Sequence, residues 1–486
     1  MKPKFILLVI AATSLTFVAH AQDIDFDLKN YKTTDYERSS LNLDFDLGET
    51  YSSYNLGYNY SDNIYDNSRT STTGRANFNL GIEYDKIIQN TYKIVNSGSS
   101  LSIKDSYQMS EYQSFKEDTT FRLSRKFGGD YNLYGFYNQD YYYSGNSKSY
   151  FLLGGSTSLN LGHNKDKLEE NGVSSDDIYQ QFYSSVSASV SLGHGHGRVE
   201  QVEDAVEALY ILHELNANGQ LKRAITENDV KLLADKITSL KKERFFDSRL
   251  QRQKTMKTLI ELLSDNGNIK LENIDIYNTI ADYHYFAGIQ TRSSGSKFSY
   301  YLTPKVYFYN QKYSDGDYYN EFEKAIGGNV SYKNYKPVSV RWQRNFSGTV
   351  SFERRWMNDV DYDNAVDHKT ESESTSNILY SSVSYAIGFY PSTRSYLEAK
   401  GYVYYTLSSA NASNPTSTSD SDSDRLNTGV NITGYYYLSE RLRLSGIFWV
   451  RGNNRNSKLV SEDYSSNSLS DYFDQSFSMS LQYFLF

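Results

Sequence analysis

A run of seventeen residues from Val340 to Trp356 alternates between apolar and polar side chains almost without exception. Its apolar positions are Val340, Trp342, Phe346, Val350, Phe352 and Trp356, and its polar positions include Arg341, Gln343, Asn345, Ser351, Glu353 and Arg355. Only a β-strand, whose side chains point alternately to opposite faces, has a period of two. Because a tilted strand of about 9 to 11 residues already crosses a bilayer, this segment is long enough to span the hydrocarbon and project beyond it.

The composition indicates that strands, rather than helices, would cross a membrane. After the N-terminal segment, no stretch offers the roughly 20 continuous apolar residues that a membrane helix needs. The chain has 47 Tyr and 25 Phe but only 5 Pro, and its mean hydropathy is -0.63 although 15% of its residues are aromatic. A β-barrel has this profile because its lumen and loops are polar and only alternate residues meet lipid. A soluble secreted β-sandwich or β-solenoid is the competing interpretation.

The N-terminal segment Met1–Ala21 has the features of a secretory signal peptide. Lys2 and Lys4 supply the positive start, an apolar stretch follows, and Ala19-His20-Ala21 forms a small-residue cleavage site. We expect the mature chain to begin at Gln22. Because the chain contains no cysteine, a lipid-modified N-terminus and a disulfide framework are both excluded.

The last strand, Asp471 to Phe486, carries Phe477, Met479, Leu481, Tyr483 and Leu485 on one face. It resembles the terminal strand of Gram-negative outer-membrane β-barrel proteins, which ends on Phe with apolar residues at alternate positions before it. Phe484 and Phe486 fit that pattern. Gln482 and Ser480 do not, because they stand at positions where the pattern has apolar residues; a one-residue β-bulge would shift the alternation and remove this mismatch. The resemblance implies an outer-membrane location and recognition of Phe484 and Phe486 by the barrel assembly machinery.

The strand pattern predicts a mainly β fold, an antiparallel transmembrane β-barrel of about 16 strands. Eight strands are predicted near 298–311, 325–335, 340–356, 376–389, 395–407, 425–438, 441–451 and 471–486. Eight more are predicted near 38–47, 52–60, 72–85, 98–110, 116–127, 131–143, 148–161 and 179–193, with Gly128-Gly129-Asp130 as a turn. An alternative fuses the first two into one long strand. The polar segments 408–424 and 453–470 are predicted as long outer loops.

Between the two halves, 22–195 and 290–486, the hydrophobic period changes from 2 to 3.6, which predicts a small helical domain over 198–270. One helical face runs from Val202 to Leu215 and ends at Asn218-Gly219, a C-cap signal. A second helix opens at Thr226, whose hydroxyl is placed to cap the amide of Asp229. A third runs from about 246 to 263. Counting strands back from the C-terminus places this insertion in the periplasm.

Charged and aromatic residues on the inward face of the clearest strands are the candidate site. They are Arg341, Glu353, Arg355, Glu398, Lys400, Tyr402, Tyr404, Arg441, Arg443 and Arg451. Rings of charge select ions in a pore, whereas in a plugged barrel the same residues form a salt-bridged network. Stacked tyrosines can form a track for sugars, although this signal is weak in a chain with 47 Tyr.

The histidines do not indicate a metal centre or a hydrolase. His194 and His196 point the same way on a strand and, with His213, resemble the start of a metal site, but flanking glycines favour a structural junction. His163, His284 and His368 are scattered along the chain, and no serine lies in a nucleophile elbow. We therefore expect no enzymatic activity, no metal and no cofactor.

Basic residues on the polar face of the helical segment are the last candidate. Lys241 and Lys242 are followed by Arg244, Arg249, Arg252, Lys254 and Lys257. They could hold a periplasmic protein or an anionic polymer, although a solvated helix face is the favoured interpretation. A net charge of -8, spread along the chain, gives no basic stripe for nucleic acid.

The sequence therefore predicts an outer-membrane barrel, in contact with lipid, that acts as a porin-like or export conduit for hydrophilic solute or polymer. The helical domain would act as a periplasmic gate or docking module. The alternative is a non-conducting outer-membrane barrel that serves adhesion, scaffolding or partner anchoring.

Overall fold

A single antiparallel sheet dominates the computed structural model. The structure describes residues 26–29, 31–32, 35–58, 67–115, 120–145, 147–170, 173–174, 179–242, 248–266, 269, 274–285, 292–414, 417–439, 442–461 and 465–483. Within them the strands are β1 (Asp35–Tyr58), β2 (Asn67–Asn90), β3 (Lys93–Phe115), β4 (Thr120–Tyr142), β5 (Ser149–Glu170), β6 (Val173–Ser174), β7 (Tyr179–Gln201), β8 (Ser293–Tyr313), β9 (Tyr318–Pro337), β10 (Trp342–Asp363), β11 (His368–Ser392), β12 (Ser395–Asn414), β13 (Ser417–Ser439), β14 (Leu442–Ser461) and β15 (Ser465–Tyr483).

The long strands follow one another across the sheet in chain order. Each pairs antiparallel with its neighbour from β1 to β15, β5 pairs directly with β7, and the two-residue β6 pairs only with β5. β7 and β8 are neighbours in the sheet although the helices separate them in the sequence. This all-antiparallel order is consistent with an outer-membrane β-barrel.

The predicted count of about 16 strands is wrong, because the described chain has fourteen long strands. The first two predicted strands form one continuous β1, as the alternative allowed, and 116–127 and 131–143 both fall in β4. Gly128 and Gly129 are not a turn, because β4 is hydrogen-bonded through them to β3 and β5. A Cβ on Gly129 would lie 2.6 Å from Asp105 Oδ1 and 2.7 Å from His163 Cε1, so glycine serves close packing within the strand.

The eight strands predicted after residue 295 are present as β8 to β15, but they are longer than predicted. The long strands span 19 to 25 residues, so most of the predicted outer loops 408–424 and 453–470 lies in paired strands. Polar side chains stabilise these extensions across the ladder, as where Ser408 Oγ lies 2.7 Å from Ser423 Oγ. Most of these two polar segments therefore belongs to paired strands and not to loops.

The sheet exposes its apolar face and shields its polar face. Phe352 is 50% exposed, whereas the neighbouring Glu353 side chain is 15% exposed. Phe346 and Trp356 on the apolar face are ten residues apart, which corresponds to about 33 Å along the strand and about 25 Å along the normal of a strand tilted by about 40°. That height matches the apolar band of about 25 Å between the aromatic girdles of a membrane barrel.

The sheet is rolled with its polar face inside. Gln89 of β2 donates a hydrogen bond to Glu200 of β7, and Arg198 Nη2 donates to Asn90 O at 2.7 Å. Three strands lie between β2 and β7, so a flat sheet would hold them about 19 Å apart. Only strong curvature brings these groups into contact. Within the described residues no ladder joins β1 to β15, so closure of the sheet is not shown.

Within the described residues, four helices form a second body between β7 and β8. They are α1 (Glu203–Ala217), α2 (Glu227–Lys242), α3 (Ser248–Asp265) and α4 (Ile274–His284). Their core includes Leu209, Leu233 and Leu259, and Leu28 and Tyr31 from the N-terminal segment pack into it. None of the helices in the described part of the chain is long and apolar enough to cross a bilayer.

Sequence signals mark the ends of the first two helices. Gly219 follows α1 with a φ of +65°, as a C-terminal glycine requires. At α2, the Asp229 amide donates to Thr226 Oγ1 at 3.3 Å and the Thr226 amide donates to Asp229 Oδ2 at 2.8 Å, a reciprocal capping box. The helices extend beyond the predicted 198–270, because α4 runs to His284.

We expect β1 and β15 to pair when the barrel is assembled in a membrane, because unpaired backbone groups are costly in hydrocarbon. The chain has no cysteine, so Leu43→Cys can be combined with Phe473→Cys, Phe477→Cys or Leu481→Cys. Oxidation should cross-link at least one pair within a single chain. Leu43→Cys with Ile82→Cys, which are register partners, is the positive control. Disulfide-linked dimers with every pair would show that the two edges do not meet.

Candidate functional site

The sheet register gathers most of the candidate residues on the concave polar face. In the β9–β15 part of the sheet, Gln343 of β10 is in line with Gly388 of β11, Glu398 of β12 and Thr433 of β13. Every second residue of a strand lies on the same face, so this row, continued to β14 through its register with β13, defines the concave face. The candidate residues on that face are Glu353, Arg355, Glu398, Lys400, Tyr402, Tyr404, Arg443 and Arg451. Arg341 instead lies in the turn between β9 and β10, and Arg441 lies outside the described residues.

An ion-pair cluster on β8, β9 and β10 contains two of these residues. Glu353 accepts hydrogen bonds from both Lys305 and Arg355, and Arg355 Nη1 also lies 3.8 Å from Glu323 Oε2. Sequence reasoning missed Lys305 and Glu323, although each lies on its strand at the same parity as the inward residues. The cluster leaves these charges partly exposed toward the concave side.

A second polar cluster lies nearer the helices. Lys297 of β8 pairs with Asp140 of β4 and stands 4.9 Å from the centre of the Tyr150 ring. Lys297 and Asp140, together with Ser331, Lys333 and other mostly polar side chains from β2 to β9, line a cavity of about 420 Å³. The concave face therefore encloses hydrophilic space next to the helical body.

The inward tyrosines of β11 to β13 form two separate groups. Tyr402 and Tyr404 have ring centres 4.8 Å apart, and Tyr380 stacks on Tyr404 at 6.3 Å. The other group, at the helix end, joins Tyr396 to Tyr390 at 5.0 Å and to Tyr435 at 5.5 Å. These rings pack on one another, so they do not form one continuous track.

The candidate arginines of β14 contact aromatic rings. Arg443 lies 5.4 Å from the centre of the Tyr435 ring, and Arg451 lies 4.7 Å from that of Trp449. Arg451 Nη2 also lies 2.9 Å from Asp474 Oδ2 of β15. The structure thus divides the predicted set among several local clusters along one face.

The helical body is attached to the sheet through buried polar contacts. The Tyr210 hydroxyl of α1 lies 2.5 Å from Tyr390 O and 3.2 Å from Val340 O. Burial raises the pKa of Tyr210, so its hydroxyl stays a neutral donor. Arg292, which precedes β8, donates from Nη2 to Ser339 O at 3.2 Å and from Nε to Gln343 Oε1 at 3.0 Å.

Helix α1 crosses the end of the rolled sheet. At its start, Glu203 accepts hydrogen bonds from Tyr36 Oη at 2.5 Å and Arg38 Nη1 at 3.1 Å, both on β1. Seven residues later Tyr210 contacts Tyr390 of β11. A helix rises about 10.5 Å over seven residues, whereas β1 and β11 would be about 43 Å apart in a flat sheet. The helix therefore bridges strands that only rolling brings together.

The histidines are placed apart. His194 lies on the exposed apolar side of β7 between the rings of Tyr143 and Tyr300, and His196 Nδ1 lies 3.1 Å from Ser149 Oγ. His213 belongs to α1 in the helical body. His163 stacks between Tyr131 and Phe182, and His368 begins β11.

Several basic residues of the helical segment have internal partners. Lys241 Nζ lies 2.6 Å from Asp204 Oδ1 and 2.7 Å from Glu207 Oε2, both on α1. Arg252 lies 4.2 Å from the centre of the Tyr285 ring. Lys242 and Lys257 pair with Asp35 and Glu261, whereas Arg244 lies outside the described residues.

No protein-family model and no curated protein sequence matches the chain. Solved structures with some similarity include the transport unit of the autotransporter AIDA-I from Escherichia coli, at 8% identity over 99% of this chain and 97% of that one, with a TM-score of 0.18. The beta domain of the Bordetella autotransporter BrkA aligns at 8% identity over 93% and 99%, with a TM-score of 0.20. The monoaromatic hydrocarbon channel TodX aligns at 9% over 93% and 91%, with a TM-score of 0.26. TM-scores this low establish no common fold, and we infer nothing about this chain from them.

Tyr210→Phe should weaken the attachment of the helical body. It removes a buried donor from the carbonyls of Tyr390 and Val340, at a cost of about 1 kcal/mol, so local opening should rise about fivefold. Hydrogen–deuterium exchange of the α1 amides measures this opening. Tyr277→Phe, which alters an exposed tyrosine of α4, is the matched control. If the α1 amides exchange at the same rate in both variants, the Tyr210 hydroxyl does not help to hold the helical body on the sheet.

Proposed function

We propose that the chain is an outer-membrane β-barrel that forms a conduit for hydrophilic solutes or an exported polymer, with the helical body as a periplasmic gate or docking module. The polar face supports this proposal most strongly, because it is concave and shielded while the apolar face is exposed. A water-soluble sheet has the opposite arrangement, with its apolar face covered.

The strand number is compatible with a lumen. Eight strands leave an interior that side chains fill, whereas 16 to 18 leave an aqueous channel. Closure of fourteen strands would give a backbone cylinder about 28 Å across. The polar cavity beside Lys297 and Lys333 on the concave face supports a hydrophilic interior of this kind.

The even number of long strands on each side of the helices supports a periplasmic position for them. Six long strands precede them and eight follow, so the start of β1, the helices and the end of β15 lie at one end of the sheet. Leu28 and Tyr31, just before β1, pack on the helices at that end. A chain exported into the periplasm would insert its barrel from that side.

The position of α1 supports a gate. It bridges β1 and the ends of β9 to β11 across the end of the rolled sheet, and on the β11 side Tyr210 holds it by hydrogen bonds to the backbone carbonyls of Val340 and Tyr390. Contacts of that kind can separate without unfolding a strand. The signal segment Met1–Ala21 and the terminal Phe484 and Phe486 lie outside the described residues, and their roles in export and assembly stay predictions.

A non-conducting barrel for adhesion, scaffolding or partner anchoring is the second candidate. The ion pairs among Lys305, Glu353 and Arg355, and between Lys297 and Asp140, favour it, because such networks can fill a lumen. The two candidates differ in whether ions pass.

Removal of the helical body should open the conduit. Residues 203 to 291 can be replaced by a short Gly-Ser segment, because the Val202 amide already donates to Arg292 O at 2.8 Å. Single-channel conductance in a planar bilayer should then be larger or more continuous than that of the whole chain. Silence from both proteins would refute the conduit. Equal conductance would refute only the gate.

Glu353→Gln should shift the ion selectivity of an open conduit toward anions. The change leaves Lys305 and Arg355 without the carboxylate that both contact, so the local charge becomes more positive by one unit. The reversal potential in a salt gradient measures the shift. Glu371→Gln removes a carboxylate that pairs with Lys369 at an exposed position of β11 and serves as the matched control. Identical reversal potentials would place Glu353 outside the ion path.

A further inference from the structure

Two cations stand next to each other on the exposed apolar face of β9 and β10. Trp356 is the register partner of Lys324 and Arg354 is that of Ile326, so Lys324 and Arg354 are diagonal neighbours. Both side chains are exposed, on the same face as Phe352. Diagonal neighbours on one face of an antiparallel pair lie about 7–8 Å apart, so two long side chains there can reach the same group.

Neither cation has a carboxylate partner within the described part of the chain. The ion pairs of β9 and β10 involve Glu323, Glu353 and Arg355, which lie on the opposite, concave face. The residues directly beside the two cations in the sheet are Val306, Ile326, Trp356 and Asn377. Two positive charges are therefore left without a counter-charge from the protein on this face.

Aromatic rings hold the two cations over the apolar surface. Arg354 Cζ lies 5.4 Å from the centre of the Trp356 ring, and Lys324 Nζ lies 5.2 Å from that of Phe322. The face of an aromatic ring attracts a cation, but it carries no net charge and does not neutralise one. The rings therefore fix the positions of the charges and leave their N–H donors available to an anion.

The pair lies at the margin of the apolar band, on the side away from the helices. Arg354 stands between Phe352 and Trp356, within the segment from Phe346 to Trp356 that matches the height of the band. Lys324 lies in the row of Trp356. A charge on the lipid face of a barrel is unfavourable inside the band, and lipid headgroups begin at its margin. An anionic headgroup would supply the missing counter-charge.

A second pair of cations on the same face provides an internal comparison. Lys336 of β9 and Arg344 of β10 are register partners, and both side chains are exposed. They lie beyond Phe346, at the ends of the two strands that are next to the helices. Outside the apolar band, water hydrates such charges and salt screens their repulsion, so this pair needs no lipid.

The charge of the first pair matches a phosphate monoester. Such a group carries about -1.5 to -2 charges at pH 7 and offers three acceptor oxygens, whereas a phosphodiester has a single negative charge. The guanidinium of Arg354 can bind two phosphate oxygens side by side, and the ammonium of Lys324 adds a point charge. Val306, Ile326 and Phe352 expose apolar surface beside the pair, where acyl chains can pack.

We propose that Lys324 and Arg354 bind the phosphate monoester of a membrane lipid in the leaflet on the side away from the helices. The acyl chains of that lipid lie along Val306, Ile326 and Phe352. The inference rests on the membrane barrel of the proposed function, but it does not depend on whether the barrel conducts.

The test measures lipid adducts of the full chain, released from detergent micelles, by native mass spectrometry. Dioleoyl phosphatidic acid carries a phosphate monoester, and dioleoyl phosphatidylglycerol has the same acyl chains on a phosphodiester. Phosphatidic acid should bind at least tenfold more tightly. Glycerol 3-phosphate, which has the monoester without acyl chains, should not compete with it at equal concentration.

Two double variants locate the binding. Lys324→Gln with Arg354→Gln should weaken the binding of phosphatidic acid at least tenfold. Lys336→Gln with Arg344→Gln removes the same two charges from the same face of the same strands and is the matched control, with no loss of binding expected. Because these side chains are exposed, both double variants should keep the melting temperature of the unchanged protein.

Equal loss of binding in the two double variants would reveal a general attraction to positive charge and overturn the inference. Equal affinity for the two lipids would also overturn it, as would competition by glycerol 3-phosphate. These outcomes leave the membrane barrel standing. If neither of these lipids nor dioleoyl phosphatidylcholine forms an adduct, the membrane barrel fails together with the lipid site. Conductance of the same variants reports separately on the conduit.

Discussion

The unbroken antiparallel ladder from β1 to β15 is the constraint on which the rest of the structure depends. In hydrocarbon every backbone N–H and C=O must find its partner within the protein, and strands meet this requirement by pairing with one another. Once the ladder is continuous, the period of two fixes which side chains meet lipid. The rolled sheet then carries Glu353, Lys305 and Asp140 inside and Val350 and Phe352 outside.

The parts of the fold that the sequence predicted well are those where the hydrophobic period is strong. β10 and its neighbours alternate clearly, so their faces, and with them the inward positions of Glu353, Lys400 and Arg451, follow from parity alone. The predicted strand count was wrong where the local composition indicated a turn inside what is one continuous strand. Gly128 and Gly129 indicated a turn, yet side chains of the neighbouring strands occupy the space that a Cβ would need: Asn164 at Gly128, and Asp105 with His163 at Gly129. Local sequence does not show the neighbouring strand that imposes this packing.

The contacts between distant residues escaped prediction for a related reason. Lys241 belonged to an apparently solvated basic face, but rolling and helix packing bury it against Asp204 and Glu207. Burial alone would lower the pKa of Lys241, and the two carboxylates more than reverse this, so its pKa is raised and it stays charged.

The helical body is held differently on its two sides, and this difference determines how it can move. On the β1 side, the buried carboxylate of Glu203 contacts Arg38 and Tyr36, and separating them would leave a charge in a site where burial already raises the pKa of Glu203. On the β11 side, Tyr210 donates to the backbone carbonyls of Tyr390 and Val340, and Arg292 donates to Ser339 O and to the side-chain oxygen of Gln343. The ion pair between Arg394 and Asp282 on this side is partly exposed to water. Water can replace such neutral acceptors at little cost, whereas it replaces a buried ion pair only after the charges are resolvated. Opening should therefore begin at the β9–β12 turns, with α1 turning about its attachment to β1.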